Sequence, residues 1–264
     1  MTHHDAAHAD HDEMHLPHGS IWPVILAMSI ALVCLGLIFG MYLLVPGLIA
    51  LAVSILGWVN EDMGWWKNNI GTGPGLVRSG LIMFISSEVF IFGALFASYF
   101  TFKAQAGQWP DTEVHLPIVK TGIFTLFLFA SSATIHRAEA LLAKGDKKGF
   151  NTWWGATILL GLIFLYGQAD EYMTLVQEGQ GLTAGQFMSS FYMITGTHGA
   201  HVAGGLVYLI IVWYRSLKGQ FDDKRHVGPQ TAAMYWHFVD LVWVFVFTVL
   251  YIVPWMNGSF SGGH

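Results

Sequence analysis

The sequence predicts an all-α, polytopic membrane protein with seven transmembrane helices. Three observations carry this expectation. Hydrophobic residues make up 54% of the 264-residue chain and charged residues only 11%, against about 25% charged in a soluble globular domain. The apolar residues gather into blocks long enough to cross a bilayer, which takes about 20 residues each. Once those blocks are counted as spans, the basic residues separate by side.

The first 18 residues are polar, with six His and four acidic residues and neither Lys nor Arg. They lack the basic start and apolar centre of a signal peptide, and residues 1–18 are expected to form a cytoplasmic tail. The block from Ile21 to Val59 is too long for one crossing of a ~30 Å apolar core at ~1.5 Å per residue. Pro46-Gly47 is its natural break, so 19–59 is predicted to be a hairpin of helices over roughly 21–42 and 45–59. A loop is expected over 60–77. Spans over about 78–102, 118–138, 152–172, 187–214 and 230–255 then form a five-helix bundle within 78–258, followed by a short tail, 259–264.

Seven crossings place Lys67, Arg78, Arg137, Lys144, Lys147, Lys148, Arg215, Lys218, Lys224 and Arg225 on one side, ten of the twelve basic residues. Only Lys103 and Lys120 fall on the other. The positive-inside rule then puts the N-terminus in the cytoplasm and the C-terminus in the periplasm. The formal charge of −5 is small and says little about partners, while the lack of a basic run argues against a nucleic-acid partner. The single cysteine, Cys34, excludes an internal disulfide and any multi-cysteine metal site.

Polar residues at membrane depth are costly, about 2.5–3.5 kcal/mol for a charged side chain on insertion scales, and therefore informative. Glu88 stands in the middle of the third span. Asp170 and Glu171 close the fifth, near an interface. His198 and His201 lie in the sixth, in TGTHGAHVAGG, and His237 and Asp240 share a face of the seventh. Glu88 is either a structural hydrogen-bonding acid or part of an ion pathway. His198 and His201, flanked by Gly196, Gly199, Gly204 and Gly205, suit hydrogen bonding across a close helix contact, with a ligand role as the alternative. His237 and Asp240 could bond within their own helix. No CxxCH, HExxH or paired ExxH motif is present, so no spacing demands haem or a metal.

Several strings, in order along the chain, resemble subunit III of cytochrome c oxidase. SSFYMITGTHGAHVAGGL is similar to that family's sixth helix and YWHFVDLVWVFVFTVLY to its last. RSGLIMFISSEVFIF resembles the third, with Arg78 and Glu88 at the family's basic and acidic positions. GQADEY resembles its Q-A-x-E-Y, WYRSLKGQF with His226 and Gly228 its loop before the final helix, and Trp65-Trp66 its paired tryptophans. The fourth span carries His136 where mitochondrial members have a His-His pair. TGTHGAHV and VFTVLY also resemble quinol-oxidase subunit III. The N-terminal hairpin, SSEV and YWHFVD favour the cytochrome c type.

The resemblance implies an accessory subunit of a bacterial aa-type oxidase that binds no redox cofactor itself. Haem and copper would sit in partner subunits I and II, with cytochrome c as the donor to the complex. The first two helices would splay from the other five around a cleft filled with structural phospholipids. Trp66, Arg78 and Glu88 are the implied lipid contacts, with Arg215 and His226 near a second head group. The chain would pack directly on subunit I and sustain proton uptake and turnover stability. Glu88, Glu171, His198, His201, His237 and Asp240 are the buried polar residues to follow, and no metal ligand or catalytic residue is expected. A stand-alone proton channel using Glu88 and His237–Asp240 is the competing class. The histidine-rich tail is a candidate proton-collecting surface, or else simply a solvated segment.

Overall fold

The computed structural model describes residues 20–68, 74–111, 114, 116–221 and 226–257, without the side chains of 37–38, 62–68 and 74–76. All regular structure among them is helical. The long helices are α1 (Trp22–Phe39), α2 (Met41–Asn68), α3 (Pro74–Gln105), α4 (Ile118–Ala143), α5 (Lys147–Gln177), α6 (Gln186–Leu217) and α7 (Val227–Phe247). Six hold a stretch long and apolar enough to cross a membrane: Met41–Glu61, Val77–Gln105, Ile118–Ala143, Lys147–Gln177, Gln186–Leu217 and Val227–Met256. The apolar stretch of α1, Trp22–Gly36, is shorter. Its 18 residues span about 27 Å, slightly less than a ~30 Å core.

The chain divides into two compact units, Met1–Gly73 and Pro74–His264. In the first, α1 and α2 pack as a hairpin whose turn is Gly40, not the predicted Pro46-Gly47. Gly40 has φ +111°, a conformation that costs an L side chain but not glycine. Pro46 lies inside α2, close enough to the start that its missing N–H removes a single early helix bond. Gly47 instead lets the helices approach, since a Cβ there would sit 2.9 Å from the Val33 backbone nitrogen. At the far end, Ser20 donates to Glu61 across 3.0 Å.

The expected loop over 60–77 is also largely helical: α2 runs on to Asn68 and α3 starts at Pro74. Polar residues such as Asn60 and Glu61 mark the exit from an apolar layer but do not break a helix, so hydropathy ended the span before the helix ended. Pro74 suits a helix start, where its missing N–H is not needed.

In the second unit α7 packs against α3, α4 and α6, while α5 lies between α4 and α6. Three tryptophans form the centre, and each indole N–H finds an acceptor. Trp154 donates to the Leu209 carbonyl at 2.9 Å, Trp236 to Ser131 Oγ at 2.8 Å and Trp243 to Thr125 Oγ1 at 2.9 Å. Buried aromatics need such partners because lipid and core offer none. Gly161 and Gly205 clear the space for the Trp236 ring, which would lie 2.8 Å and 3.0 Å from a Cβ at those positions. The final helix widens to a π-helical turn at Thr248–Ile252 and closes with a last turn, Val253–Met256. Pro254 explains the widening, because it can neither donate to the carbonyl one turn back nor tolerate its close approach.

Asp111, in the segment between α3 and α4, caps α6. Its carboxylate accepts from the backbone N–H of Gln186 at 2.7 Å and of Phe187 at 3.0 Å. Two free donors at a helix start and the positive end of the helix dipole both favour a carboxylate there.

Candidate functional site

The polar residues at membrane depth do not converge on one centre. They form separate fasteners between helices, each in the second unit.

The first joins α3 to α6. His201 Nε2 lies 2.8 Å from Glu88 Oε2, and Glu88 is 7% exposed. His201 Nδ1 lies 2.7 Å from the Thr197 carbonyl. A carbonyl only accepts, so Nδ1 must carry a hydrogen. The contact between Nε2 and the carboxyl therefore needs one more proton, held by either partner. The Phe92 ring, 5.1 Å from the imidazole, and the Tyr235 hydroxyl, donating to the His201 carbonyl at 3.2 Å, pack around the pair.

His198, three residues earlier, behaves differently. It is fully buried and stacks on Trp243 with ring centroids 4.9 Å apart, while Phe164 meets it edge-on at 6.0 Å. Neither ring nitrogen has a hydrogen-bond partner among the described residues. The expectation of hydrogen bonding across the helix contact thus holds for His201 and not for His198. The glycine face beside them receives large side chains from neighbouring helices, Gln168 opposite Gly199 and Trp236 opposite Gly205.

The second fastener joins α4, α5 and the π turn. Glu171, expected near an interface and among the buried polar residues, is 2% exposed. Thr121 Oγ1 lies 3.1 Å from one of its carboxylate oxygens, and the Tyr251 hydroxyl donates to the other at 3.1 Å. Asp170 faces outward and forms an ion pair with Lys120. Two adjacent acids on a helix point about 100° apart, which is why one turns inward and the other does not. A cavity of about 10 Å³ beside Glu171 is lined by Thr121, Phe124, Phe164, Gly167, Gln168 and Trp243.

The third joins α4 to α7. His237 and Asp240 are linked through Ser132 of α4 and not directly. Ser132 Oγ lies 3.1 Å from His237 Nδ1 and donates to Asp240 Oδ2. No residue in the sequence flags Ser132, because the contact depends on how α4 and α7 are rotated against each other.

The implied lipid contacts lie mostly at one end of the unit. Arg78 opens α3 and is exposed, and it donates to Gln230 at the start of α7. Arg215, in the last turn of α6, donates to Gln220 at 2.8 Å and lies 5.6 Å from the centre of the Phe221 ring. His226 directly precedes α7. Glu88 is not part of this end, since ten residues of helix separate it from Arg78 by about 15 Å. The Trp66 side chain and the histidine-rich tail fall outside the described residues. Among the described residues, no three His, Cys, Asp or Glu side chains come together as a metal centre would need.

Fold and polar contacts define a polytopic helical membrane protein whose intramembrane polar groups tie helices together. Comparison with known proteins gives the family. The family model described as cytochrome c oxidase subunit III matches residues 12–256. The chain is 38% identical over 175 residues to cytochrome c oxidase subunit 3 of Thermostichus vulcanus, covering 66% of this chain and 86% of that protein. It is 39% identical over 181 residues to the probable cytochrome c oxidase subunit 3 of Mycobacterium bovis, covering 68% and 89%. A Synechocystis protein named cytochrome c oxidase subunit 3 is 36% identical over 182 residues, covering 68% and 77%. The chain belongs to the cytochrome c oxidase subunit III family, a family of subunits of an oxidoreductase complex.

Proposed function

We propose that this chain is the accessory, non-redox subunit III of a proton-pumping cytochrome c oxidase in a bacterial inner membrane. It packs on subunit I, in the same complex as subunit II, holds structural phospholipids, and sustains proton uptake and resistance to inactivation during turnover. Its N-terminus lies in the cytoplasm and its C-terminus in the periplasm. Haem and copper belong to the partner subunits, and cytochrome c donates to the complex.

The observation that carries this reading is the use made of the intramembrane polar groups. His198 stacks on Trp243, His201 meets Glu88, and His237 meets Ser132, so the three histidines that could have formed a ligand set turn to three different neighbours. The lipid role draws support from Arg78. One of its nitrogens is used by Gln230, and a guanidinium has five N–H donors in all, which leaves capacity for a phosphate on the basic side of the membrane.

The test compares the purified oxidase with and without this chain. The depleted enzyme is expected to start at near-normal turnover and then lose activity over repeated cycles, with slower proton uptake and less bound phospholipid. Adding the chain back with phospholipid is expected to restore all three. Identical inactivation and uptake in both preparations would contradict the reading.

A further inference from the structure

We propose that the cavity beside Glu171 is a binding site for one ordered water molecule, which donates to Gln168 Oε1 and to the Glu171 carboxyl. The site lies where α4, α5 and α7 meet. Its ligand is solvent, so it stands apart from the reading of the chain as an oxidase subunit.

An unanswered acceptor is the first observation. Gln168 is 6% exposed, yet its Oε1 has no hydrogen-bond partner among the described residues. The orientation of its amide is fixed. Nε2 lies 2.7 Å from the Thr195 carbonyl and 3.4 Å from the Tyr172 hydroxyl. A carbonyl only accepts, so the atom facing Thr195 is the amide nitrogen and Oε1 is the one left over.

The two hydroxyls of this cluster have no hydrogen to give it. Thr195 Oγ1 donates to the Phe191 carbonyl at 2.6 Å. In its 2.6 Å contact with the Tyr172 hydroxyl it therefore accepts, and that uses the one hydrogen of Tyr172. A buried acceptor without a donor is costly, and an ordered water is the usual remedy where space allows.

Space of the right size is the second observation. Gln168 and Glu171, three residues apart on one face of α5, both line the cavity, together with Thr121 and the rings of Phe124, Phe164 and Trp243. Its volume of about 10 Å³ corresponds to a single water molecule. On Glu171, Thr121 and Tyr251 each reach one oxygen at 3.1 Å, and a carboxylate has about four acceptor positions. The two hydrogens of one water thus find Gln168 Oε1 on one side and Glu171 on the other. The water joins the Glu171 fastener, which reaches α4 and the π turn, to the Gln168 amide, which reaches α6.

The test is a density map of the native complex containing this chain, at a resolution that shows ordered waters. The expected result is one peak in the cavity, about 2.5–3.0 Å from both Gln168 Oε1 and a Glu171 oxygen. In Gln168→Met, which keeps the length of the side chain without its oxygen, the peak is expected to vanish. In Glu171→Gln, which keeps an oxygen acceptor, it is expected to remain.

A wild-type map with no peak in the cavity would overturn the proposal. A peak that bonds neither side chain, or one unchanged in Gln168→Met, would overturn it as well. The wild-type map decides the matter even if Gln168→Met fails to assemble.

Discussion

His201 Nε2 and Glu88 Oε2 meet at 2.8 Å, tying α6 to α3 in the interior of the membrane-spanning unit. The Thr197 carbonyl fixes the other imidazole nitrogen as a donor, so the pair shares one proton between acid and base.

Removing one member of that pair should cost more than removing both. His201→Leu strands the Glu88 carboxyl, and Glu88→Leu strands the imidazole. Each is expected to destabilise the chain by about 1–3 kcal/mol in detergent unfolding, because a buried polar group is left unpaired. Glu88→Gln should be nearly neutral, since its amide N–H can donate to Nε2. The double variant Glu88→Leu/His201→Leu should be less destabilised than either single variant, because no buried polar group is left unpaired. Additive losses would show that the two side chains do not interact. A hydrophobic carbodiimide is expected to label Glu88 and to lose that label in Glu88→Gln. Label persisting at another carboxyl in that variant would contradict the assignment.

The cap on α6 gives a prediction outside the bilayer. Asp111 accepts from two backbone N–H groups at the helix start. Asp111→Ala should cost about 1 kcal/mol, and Asp111→Asn less, because asparagine keeps an oxygen acceptor. Hydrogen exchange at Gln186 and Phe187 reports the loss locally. Unchanged protection of both amides in Asp111→Ala would contradict the cap.

Glycines divide into those that matter and those that do not. A Cβ on Gly161 would lie 2.8 Å from both Leu206 and Trp236, whereas one on Gly80 meets nothing within 4 Å. Gly161→Val is expected to destabilise by about 1–3 kcal/mol through overpacking. Gly80→Ala is expected to be neutral or slightly stabilising, because alanine favours the helix. Equal melting temperatures for the two variants would contradict the packing at Trp236.

Much of the fold is legible in the sequence because hydropathy reports burial in lipid directly. The six spans long enough to cross overlap the expected segments throughout. Pro46-Gly47 is a stronger punctuation mark in the sequence than a lone Gly40, yet α2 runs through it and the turn falls at Gly40. The polar stretch 60–77 reads as loop by hydropathy although much of it is helical, because leaving the membrane and ending a helix are different events. At the site, sequence could name Glu88, His201, His237 and Asp240 as costly residues. It could not pair them, since pairing depends on the rotation of one helix against another. His198 and His201 show the limit: they share a motif and a helix, yet one stacks on Trp243 and the other bonds Glu88. Ser132 and Tyr251 are ordinary residues in the sequence and become partners of Asp240, His237 and Glu171 only in the fold.

The central claim is that this chain fastens helices and partners together and holds no redox centre of its own. The most direct measurement is the visible spectrum and metal content of the chain purified without its partner subunits. The account predicts no stoichiometric haem band and no bound copper, with both retained by the oxidase from which the chain was removed. A haem band at one per chain, or copper that follows the chain out of the complex, would contradict it.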